Sequence, residues 1–396
     1  MKKSLLALAA MGAFAGASGV SYAQSSVTVY GTLDAAISNA DTGATATNGV
    51  TTRVRGGRTV SDRIGFRGVE DLGKGQSAFF QIETGIDPFT QNTGEAGSGD
   101  GTAKTSATPG SWVTTRRPTF VGLADNSLGR LSVGSMYSPG FLFTGYGDVA
   151  GNNTVGTNFS QATAVSSVAD AVSTTSTNTT AAYKMNAQSI RYDSPSFNGL
   201  VVSAYGVTQS TAASGAGRVN ALAAAYTLGK FNAEAVYEIK TIATNSGTTA
   251  TPTKHTTMGI GGGYNFGFMN TRLTYQKGEL ETQTAGVKSG SNGVVAVTKL
   301  SAIAPVTPQI DIFGAYILLS ENSSGTMYGA ANVQKSATAM SIGSTYKFSK
   351  RTNIYATYTA VENNSNAQFR ADGSAISSVA AGLDPKVINV GIRHSF

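Results

Sequence analysis

Apolar and polar residues alternate along much of the chain, in stretches of about ten positions that end in turns. In the stretch from 27 to 37 one parity is apolar and the other is polar: Val27, Val29, Leu33 and Ile37 against Thr28, Tyr30, Thr32 and Asp34. The stretches 76–86 and 387–396 repeat this alternation, with Glu83 and Arg393 on the polar parity. Because successive strand residues point to opposite faces, the pattern predicts β-strands with one apolar and one hydrated face.

Short turns and longer segments rich in Ser, Thr, Gly and Asn separate these stretches in alternation. Seven tight turns are predicted, at 70–75, 125–129, 194–199, 228–230, 265–268, 305–309 and 349–351. Eight longer loops are predicted, at 41–57, 87–115, 138–185, 210–217, 242–255, 279–293, 321–334 and 363–385. Seven turns and eight loops join sixteen strands and leave both chain ends on the short-turn side, as in bacterial barrels.

The expected fold is therefore all-β, a 16-stranded antiparallel transmembrane β-barrel with short periplasmic turns and long extracellular loops. The apolar run Leu5 to Gly19 follows Lys2 and Lys3 and precedes Ser21-Tyr22-Ala23. This order predicts a signal peptide over 1–23, cleaved after Ala23, and one barrel domain over 24–396. Because no other apolar run approaches the roughly 20 residues of a membrane helix, a membrane location requires a closed barrel.

Phenylalanines collect at the short turns and at the chain end: Phe197, Phe231, Phe266, Phe268, Phe348 and Phe396. Aromatic rings are enriched where a membrane protein crosses the membrane–water interface, so these positions predict a girdle on the short-turn side. The structural alternative is a soluble β-sandwich with Phe at its strand ends, which leaves the eight long loops without an explanation.

The residue types that most catalytic and metal sites require are scarce. The chain has no Cys and two His, His255 and His394, with no two-His metal spacing and no base for a Ser–His–acid triad. The glycine run 259–263 lacks the Lys-Ser/Thr ending of a phosphate-binding loop and is interpreted as glycine packing in a strand. Solvated surface acids account for Glu279 and Glu281 better than a glycosidase pair. The sequence therefore predicts neither an enzyme nor a metal or cofactor.

The charge balance is modestly basic. The formal charge of +7 falls to +5 when Lys2 and Lys3 leave with the signal peptide. Basic residues are scattered, without basic runs or an aromatic stacking platform, which argues against nucleic-acid binding. A charged pore wall explains the balance better, because Arg63 and Arg67 share the polar parity of their strand, opposite Ile64 and Phe66.

Three segments together resemble the general porins of β-proteobacteria: SVTVYGTLD at 26–34, RIGFRG with EDLG at 63–73, and VGIRHSF at 390–396. The resemblance covers nearly the whole mature chain. It implies a homotrimer in the outer-membrane lipids whose third long loop, here 138–185, folds into the pore. It also implies that barrel-assembly machinery reads the C-terminal strand, here through Phe396 and His394.

The same resemblance implies a constriction lined by Arg63 and Arg191 and faced by Asp148 on the inward loop, and Arg67 joins this lining by its parity with Arg63. This chain departs from the family at Ser135, after Gly134, where an arginine is usual. The expected function is passive diffusion of small hydrophilic solutes and ions through a water-filled channel, with mild anion preference. The alternatives are a solute-specific outer-membrane channel, a barrel enzyme acting at the outer surface, and a β-rich surface adhesin.

Overall fold

The computed structural model of the chain describes residues 26–44, 49–86, 113–148, 185–207, 218–246, 249–284, 287–323, 333–371, 376 and 379–396. The predicted signal peptide over 1–23 and most of the third long loop lie outside these residues, as does the loop tryptophan Trp112. All structural statements below concern the described part of the chain.

The described residues form seventeen β-strands and one α-helix. The strands are β1 Ser26–Asp41, β2 Val50–Gly56, β3 Arg63–Gly73, β4 Gln76–Ile86, β5 Val113–Asp125, β6 Gly129–Tyr137, β7 Met185–Asp193, β8 Leu200–Val207, β9 Arg218–Leu228, β10 Phe231–Ser246, β11 Thr249–Asn265, β12 Asn270–Thr284, β13 Val287–Pro305, β14 Ile310–Ser323, β15 Val333–Lys347, β16 Thr352–Asn363 and β17 Lys386–Ser395. The helix α1, Pro139–Tyr146, follows β6. It is neither long enough nor apolar enough to cross a membrane.

All strands pair antiparallel with their neighbours in one sheet, and β17 returns to pair with β1. The strand β1 pairs with β3 through Thr32 and with β2 from Ala35 onward. Thus β2 and β3 are two parts of one barrel strand, interrupted at 57–62, and the sheet is a closed 16-stranded barrel. This confirms the predicted fold and strand number.

The two faces of the sheet follow the predicted alternation. Val27, Val29 and Ile37 point outward and are 53–67% exposed, whereas Asp34 and Ser38 point inward and are buried. An apolar outer band and a polar lumen are the arrangement that a barrel in lipid requires, because hydrocarbon cannot solvate charged side chains.

All seven predicted tight turns join consecutive strands. The girdle residues at these turns have exposed rings, among them Phe197, Phe268 and Phe348 at 62–69% exposure.

Several predicted long loops are wrong in extent, because 50–56, 113–115, 242–246, 249–255, 279–284 and 287–293 are strand. Thr is compatible with pleated strands, so a Thr-rich segment does not mark a loop by itself. On β12 the outward Lys277 pairs with Glu279 at 3.4 Å, which fits strands that continue beyond the hydrocarbon layer.

The barrel closes where the C-terminus meets β1. The backbone N–H of Gly31 donates to Phe396 O at 3.0 Å, and the Phe396 N–H donates to Gly31 O at 3.0 Å. The Phe396 ring lies directly over the Cα of Gly31, where a Cβ would overlap it. Beside it, His394 points outward and shares a 2.8 Å hydrogen bond with Thr352 Oγ1. Glycine at position 31 therefore allows the terminal ring to cover the joint.

Deletion of Phe396 is expected to reduce the amount of folded barrel in the outer membrane, while export and signal cleavage continue. The deletion removes two backbone hydrogen bonds at the closing joint and exposes the β1 edge. The measurement is heat-modifiable migration of outer-membrane fractions. Phe396→Tyr keeps both hydrogen bonds and the ring and serves as the control. Parental levels of folded barrel in the deletion variant would contradict the expectation.

Candidate functional site in the channel lumen

The helix α1 lies inside the barrel and is fixed at its first turn by a carboxylate from the wall. Ser138 is the N-cap, with its Oγ accepting from Phe141 N at 3.3 Å, and Pro139 occupies the first turn. On β10, Glu238 accepts from Gly140 N at 2.9 Å and from Ser138 Oγ at 3.1 Å. A carboxylate at a helix N-terminus satisfies N–H groups that lack an intrahelical partner, so Glu238 fixes where the third loop enters the lumen.

The remainder of α1 is held to the inner wall through its carbonyl groups. Gln276 Nε2 donates to Gly140 O at 3.3 Å, and Ser301 Oγ donates to Gly147 O at 2.7 Å. Arg272 Nη1 donates to Tyr146 O at 2.6 Å and stacks over the Tyr146 ring at 4.6 Å. The C-terminal carbonyls of a helix have no partner within it, and here β12 and β13 supply the donors. The helix is therefore bound to the wall at both ends.

Glycines in β11 make room for the two aromatic rings of α1. A Cβ on Gly259 would lie 2.5 Å from the Phe143 ring, and one on Gly261 would lie 3.1 Å from the Tyr146 ring. Phe143 is 1% exposed in this position. Gly259 and Gly261 are thus explained by close approach of a helix to a strand, since a larger side chain would hold the helix off the wall.

A second inward feature is the break between β2 and β3. Asp34 is fully buried, and its Oδ2 accepts from Thr59 N at 2.7 Å, Thr59 Oγ1 at 2.5 Å and Val60 N at 2.9 Å. Its Oδ1 accepts from the OH of Tyr355 on β16, whose ring lies over Gly391 of the intervening strand β17. Asp62 in turn accepts from the backbone N–H of Asp34. These bonds replace the missing ladder bonds of the break and hold 57–62 on the inner side of the barrel.

Arginines concentrate on the wall around this break. They are Arg53 and Arg55 on β2, Arg58 in the break, Arg63 and Arg67 on β3, Arg117 on β5 and Arg393 on β17. The strand registers place Arg53, Arg55, Arg63, Arg67 and Arg393 in the inward row; for example, Arg393 pairs with Asp34, and Arg63 with Thr32. Arg117 binds the inward Glu83, and Arg58 is buried with its Nε donating to Gly56 O. Glu83 joins three of the strands, because it accepts from Tyr30 OH at 2.8 Å, pairs with Arg117 and lies 3.7 Å from Arg63 Nε. We refer to this surface, β17 through β5, as the arginine wall.

The comparisons identify the family of this barrel. The sequence profile of Gram-negative porins matches residues 7–366. An outer membrane porin protein of Bordetella pertussis is 26% identical over 441 aligned residues, covering 100% of both chains. The chain belongs to the Gram-negative porin family. It is an outer-membrane channel for passive diffusion of small hydrophilic solutes and ions, as the sequence predicts.

Solved porins share the fold of this one. The anion-selective porin from Comamonas acidovorans superposes with a TM-score of 0.71 at 21% identity, covering 94% of this chain and 100% of that one. The trimer form of OmpT from Vibrio cholerae gives 0.63 at 14% identity, covering 94% and 99%. Salmonella typhi OmpF in complex with daunomycin gives 0.59 at 16% identity, covering 93% and 97%.

The porin places the predicted constriction residues at different heights. Arg63 and Arg67 lie in the inward row of β3, where the Arg67 guanidinium stacks over the Tyr30 ring at 5.1 Å. Arg191 also points inward but lies two residues from the short turn after β7, paired with Asp193 at 2.8 Å. Asp148 follows α1, is buried, and lies within electrostatic range of Lys299. The structure thus brings Arg63 and Arg67 together and leaves Arg191 and Asp148 apart from them.

Ser135 lies elsewhere than the sequence suggested. It pairs with Thr119 in the row of Val121 and Val133, which point outward, next to a register shift at Gly134. The expectation that Ser135 lines the constriction is corrected on this register, because a one-residue step in a strand exchanges the two faces. An arginine there would face outward, where burial in lipid costs about 2–4 kcal/mol at the membrane midplane.

Sequence reasoning missed several members of the arginine wall. Arg53 and Arg55 lie in the predicted loop 41–57, although Val50 and Val54 alternate there with Arg53 and Arg55 as in a strand. Arg117 precedes Pro118 at a register shift opposite Glu83. Proline in a strand indicates a bulge, and bulges redirect neighbouring side chains.

No cluster of metal-ligating side chains occurs among the described residues.

Gly259→Val is expected to lower single-channel conductance, because the added methyl groups overlap Phe143 and push α1 away from the wall into the lumen. The measurement is single-channel current in planar bilayers at high salt. Gly262→Val is the matched control, since Gly262 lies on the outward row of the same strand with its nearest neighbours 3.8 Å from the added Cβ. Equal conductance in the two variants would show that α1 does not narrow the path.

Proposed function

We propose that this porin is a general-diffusion channel with a mild preference for anions, set by the arginine wall. The observation that carries the proposal is the excess of arginine over carboxylate on that wall. In the described part of this wall, Asp34 and Asp62 bind the break, and Glu83 binds Arg63 and Arg117. Among the residues that the structure describes, seven arginines lie on this wall with these three acids, so the described part of the wall carries net positive charge.

The opposite wall, where α1 docks, is close to balanced. Its inward acids Asp148, Glu234 and Glu238 are matched by the inward bases Lys240, Arg272 and Lys299. Asp148, Glu238, Lys240 and Lys299 are buried there, whereas Arg53 and Arg67 of the arginine wall are exposed and Arg63 is partly exposed. A solute between the two walls therefore experiences mainly the field of the arginine wall. Anions are attracted by that field, and cations are repelled.

Arg63→Ser is expected to move the zero-current potential in a salt gradient toward cation preference. The Arg63 side chain is 28% exposed to the lumen, so its charge acts on passing ions directly. The shift should be larger at 0.1 M salt, where the screening length is about 10 Å, than at 1 M, where it is about 3 Å. The measurement is reversal potential across a planar bilayer. Arg63→Lys keeps the charge and should match the parent.

Arg191→Ser provides a comparison within the same channel. Arg191 is similarly exposed at 27%, but it lies near the short-turn mouth and is paired with Asp193. Its removal should therefore shift the potential less than removal of Arg63. If Arg63→Ser matches the parent at both salt concentrations, the arginine wall does not set selectivity. Currents that saturate with one class of solute would favour the solute-specific channel instead.

We further propose that the protein is a homotrimer. The support is the family assignment and the trimer form in which a structurally similar porin is known. A trimer of separate channels should show conductance steps in groups of three in planar bilayers, and a folded species about three times the monomer mass by light scattering in detergent. Single steps from a monomeric species would contradict this assembly.

The C-terminal strand is also proposed to be read by the barrel-assembly machinery through Phe396 and His394. Both side chains point outward at the closing joint, where a partner could reach them before closure. Refolding of the Phe396 deletion variant into detergent separates recognition from closure. If recognition dominates, the deleted chain refolds in vitro at the parental yield and fails only in cells. Failure in both settings would instead place the defect in closure.

A further inference from the structure

Part of the inner wall departs from the polar lumen expected of a water-filled barrel. On β13 through β17 the inward row near the long-loop end carries a cluster of buried apolar side chains: Val295, Val297, Ile317, Leu319, Ala339, Val361 and Val387 are each at most 3% exposed. The outward row of β14 is apolar as well, with Tyr316 and Leu318 exposed. These strands thus present an apolar surface on both sides, and the inner one is shielded from water.

The cover comes from the last long loop. Ala367, Phe369 and Ala371 alternate with Gln368 and Arg370, and the three apolar side chains are fully buried against the inner wall. Ile376 and Val379 from the same loop complete the cluster. Gln368 and Arg370 remain partly exposed on the other side of this segment. The loop therefore lies inside the barrel mouth, with an apolar face on the wall and a polar face toward the lumen.

The segment is attached by Asn363, the last residue of β16. Its side chain donates to Phe369 O at 2.9 Å and to Leu383 O at 2.6 Å, and its Oδ1 accepts from Phe369 N at 3.0 Å. Gly382 N donates to Ala367 O at 3.0 Å, which joins the two ends of the loop. Asn363 thus bonds both backbone groups of Phe369, as a neighbouring strand would.

Nearby charges confirm that water is excluded from this part of the wall. Glu321 and Lys335 are cross-strand partners on β14 and β15, 3.5 Å apart, with both side chains fully buried. Burial of such a pair on a lumen-facing row needs a cover, because water would otherwise reach it from the channel. The covered wall and the loop therefore form one packed unit rather than a wet vestibule.

From this placement we propose that residues 364–371 form a fixed lining of the outer vestibule and that Arg370, whose Nη1 donates to Ile376 O at 3.2 Å, lies on its lumen side. The channel then has two successive filters: this lining near the long-loop mouth and the arginine wall deeper in the lumen. The lining follows from packing alone, whereas the effect of Arg370 on anionic solutes rests on the proposed anion preference.

The absence of Cys from the chain allows a direct test with single-thiol variants of the purified, folded protein. Arg370→Cys should react with a water-soluble methanethiosulfonate, and a bulky maleimide attached there should reduce single-channel current. Ala371→Cys is the matched control, because the adjacent side chain is fully buried and should be protected. Equal reactivity at both positions, with no loss of current on labelling, would place the segment outside the channel and overturn the lining.

Two further experiments separate the packing of the lining from the effect of the charge at position 370. Adding Phe369→Ser to Ala371→Cys should expose the protected thiol if Phe369 holds the lining, while heat-modifiable migration confirms that the barrel is folded. A positively charged thiol reagent on Arg370→Cys should raise anion preference at low salt relative to a negatively charged one. If the two labels give the same reversal potential while Arg63→Ser still shifts it, Arg370 has no role in selection and the arginine wall keeps its role.

Discussion

Every part of this barrel depends on the pairing of backbone N–H and C=O groups, because hydrocarbon offers them no other partner and each unpaired group costs several kcal/mol there. That constraint requires the sheet to close, and β1 meets β17 over ten residue pairs with Phe396 completing the joint at Gly31. Closure fixes which side chains face lipid. The outward row must be apolar throughout the membrane, so only the inward row is left to carry charge and to receive the segments that narrow the channel.

Three segments depart from the ladder and enter the lumen: the break at 57–62, the helix α1 and the last long loop. In each case a polar side chain from a strand, buried at Asp34 and Glu238 and partly buried at Asn363, replaces hydrogen bonds that the segment no longer finds in the sheet. Asp34 binds the break, Glu238 binds the first turn of α1, and Asn363 binds Phe369. The three segments share this feature because burying an unpaired backbone group costs free energy wherever water is excluded, in a packed part of the lumen as in the membrane. The channel shape is therefore set by a few strand residues whose side chains mimic a neighbouring strand.

The sequence predicted the features that local chemistry determines. The seven turns, the two faces and the strand number follow from turn residues and a period of two, both visible within a dozen positions. Features fixed by distant contacts were missed or misplaced. The position of Ser135 after Gly134 predicted that its side chain lines the constriction, but the pairing of β6 with β5 places it in the outward row. Arg53 and Arg55 lie in a segment that was predicted as a loop and is a strand. The residues next to Phe369 in the sequence do not indicate that its side chain packs against distant strands.

The distribution of charge matters more for this channel than its net value. Screening at physiological ionic strength limits the reach of a charge to about 8 Å, so an arginine acts on a solute only where the lumen is narrow. The break at 57–62 and the helix α1 bring opposite sides of the lumen closer together. The charged side chains around these two segments differ. The break carries arginines around a carboxylate that is already committed to backbone N–H groups and Tyr355, whereas the acids near α1 are matched by Lys240, Arg272 and Lys299. The hydrogen bonds that Asp34 accepts leave its negative charge in place, so the proposed anion preference depends on the arginines that outnumber the described carboxylates of the arginine wall.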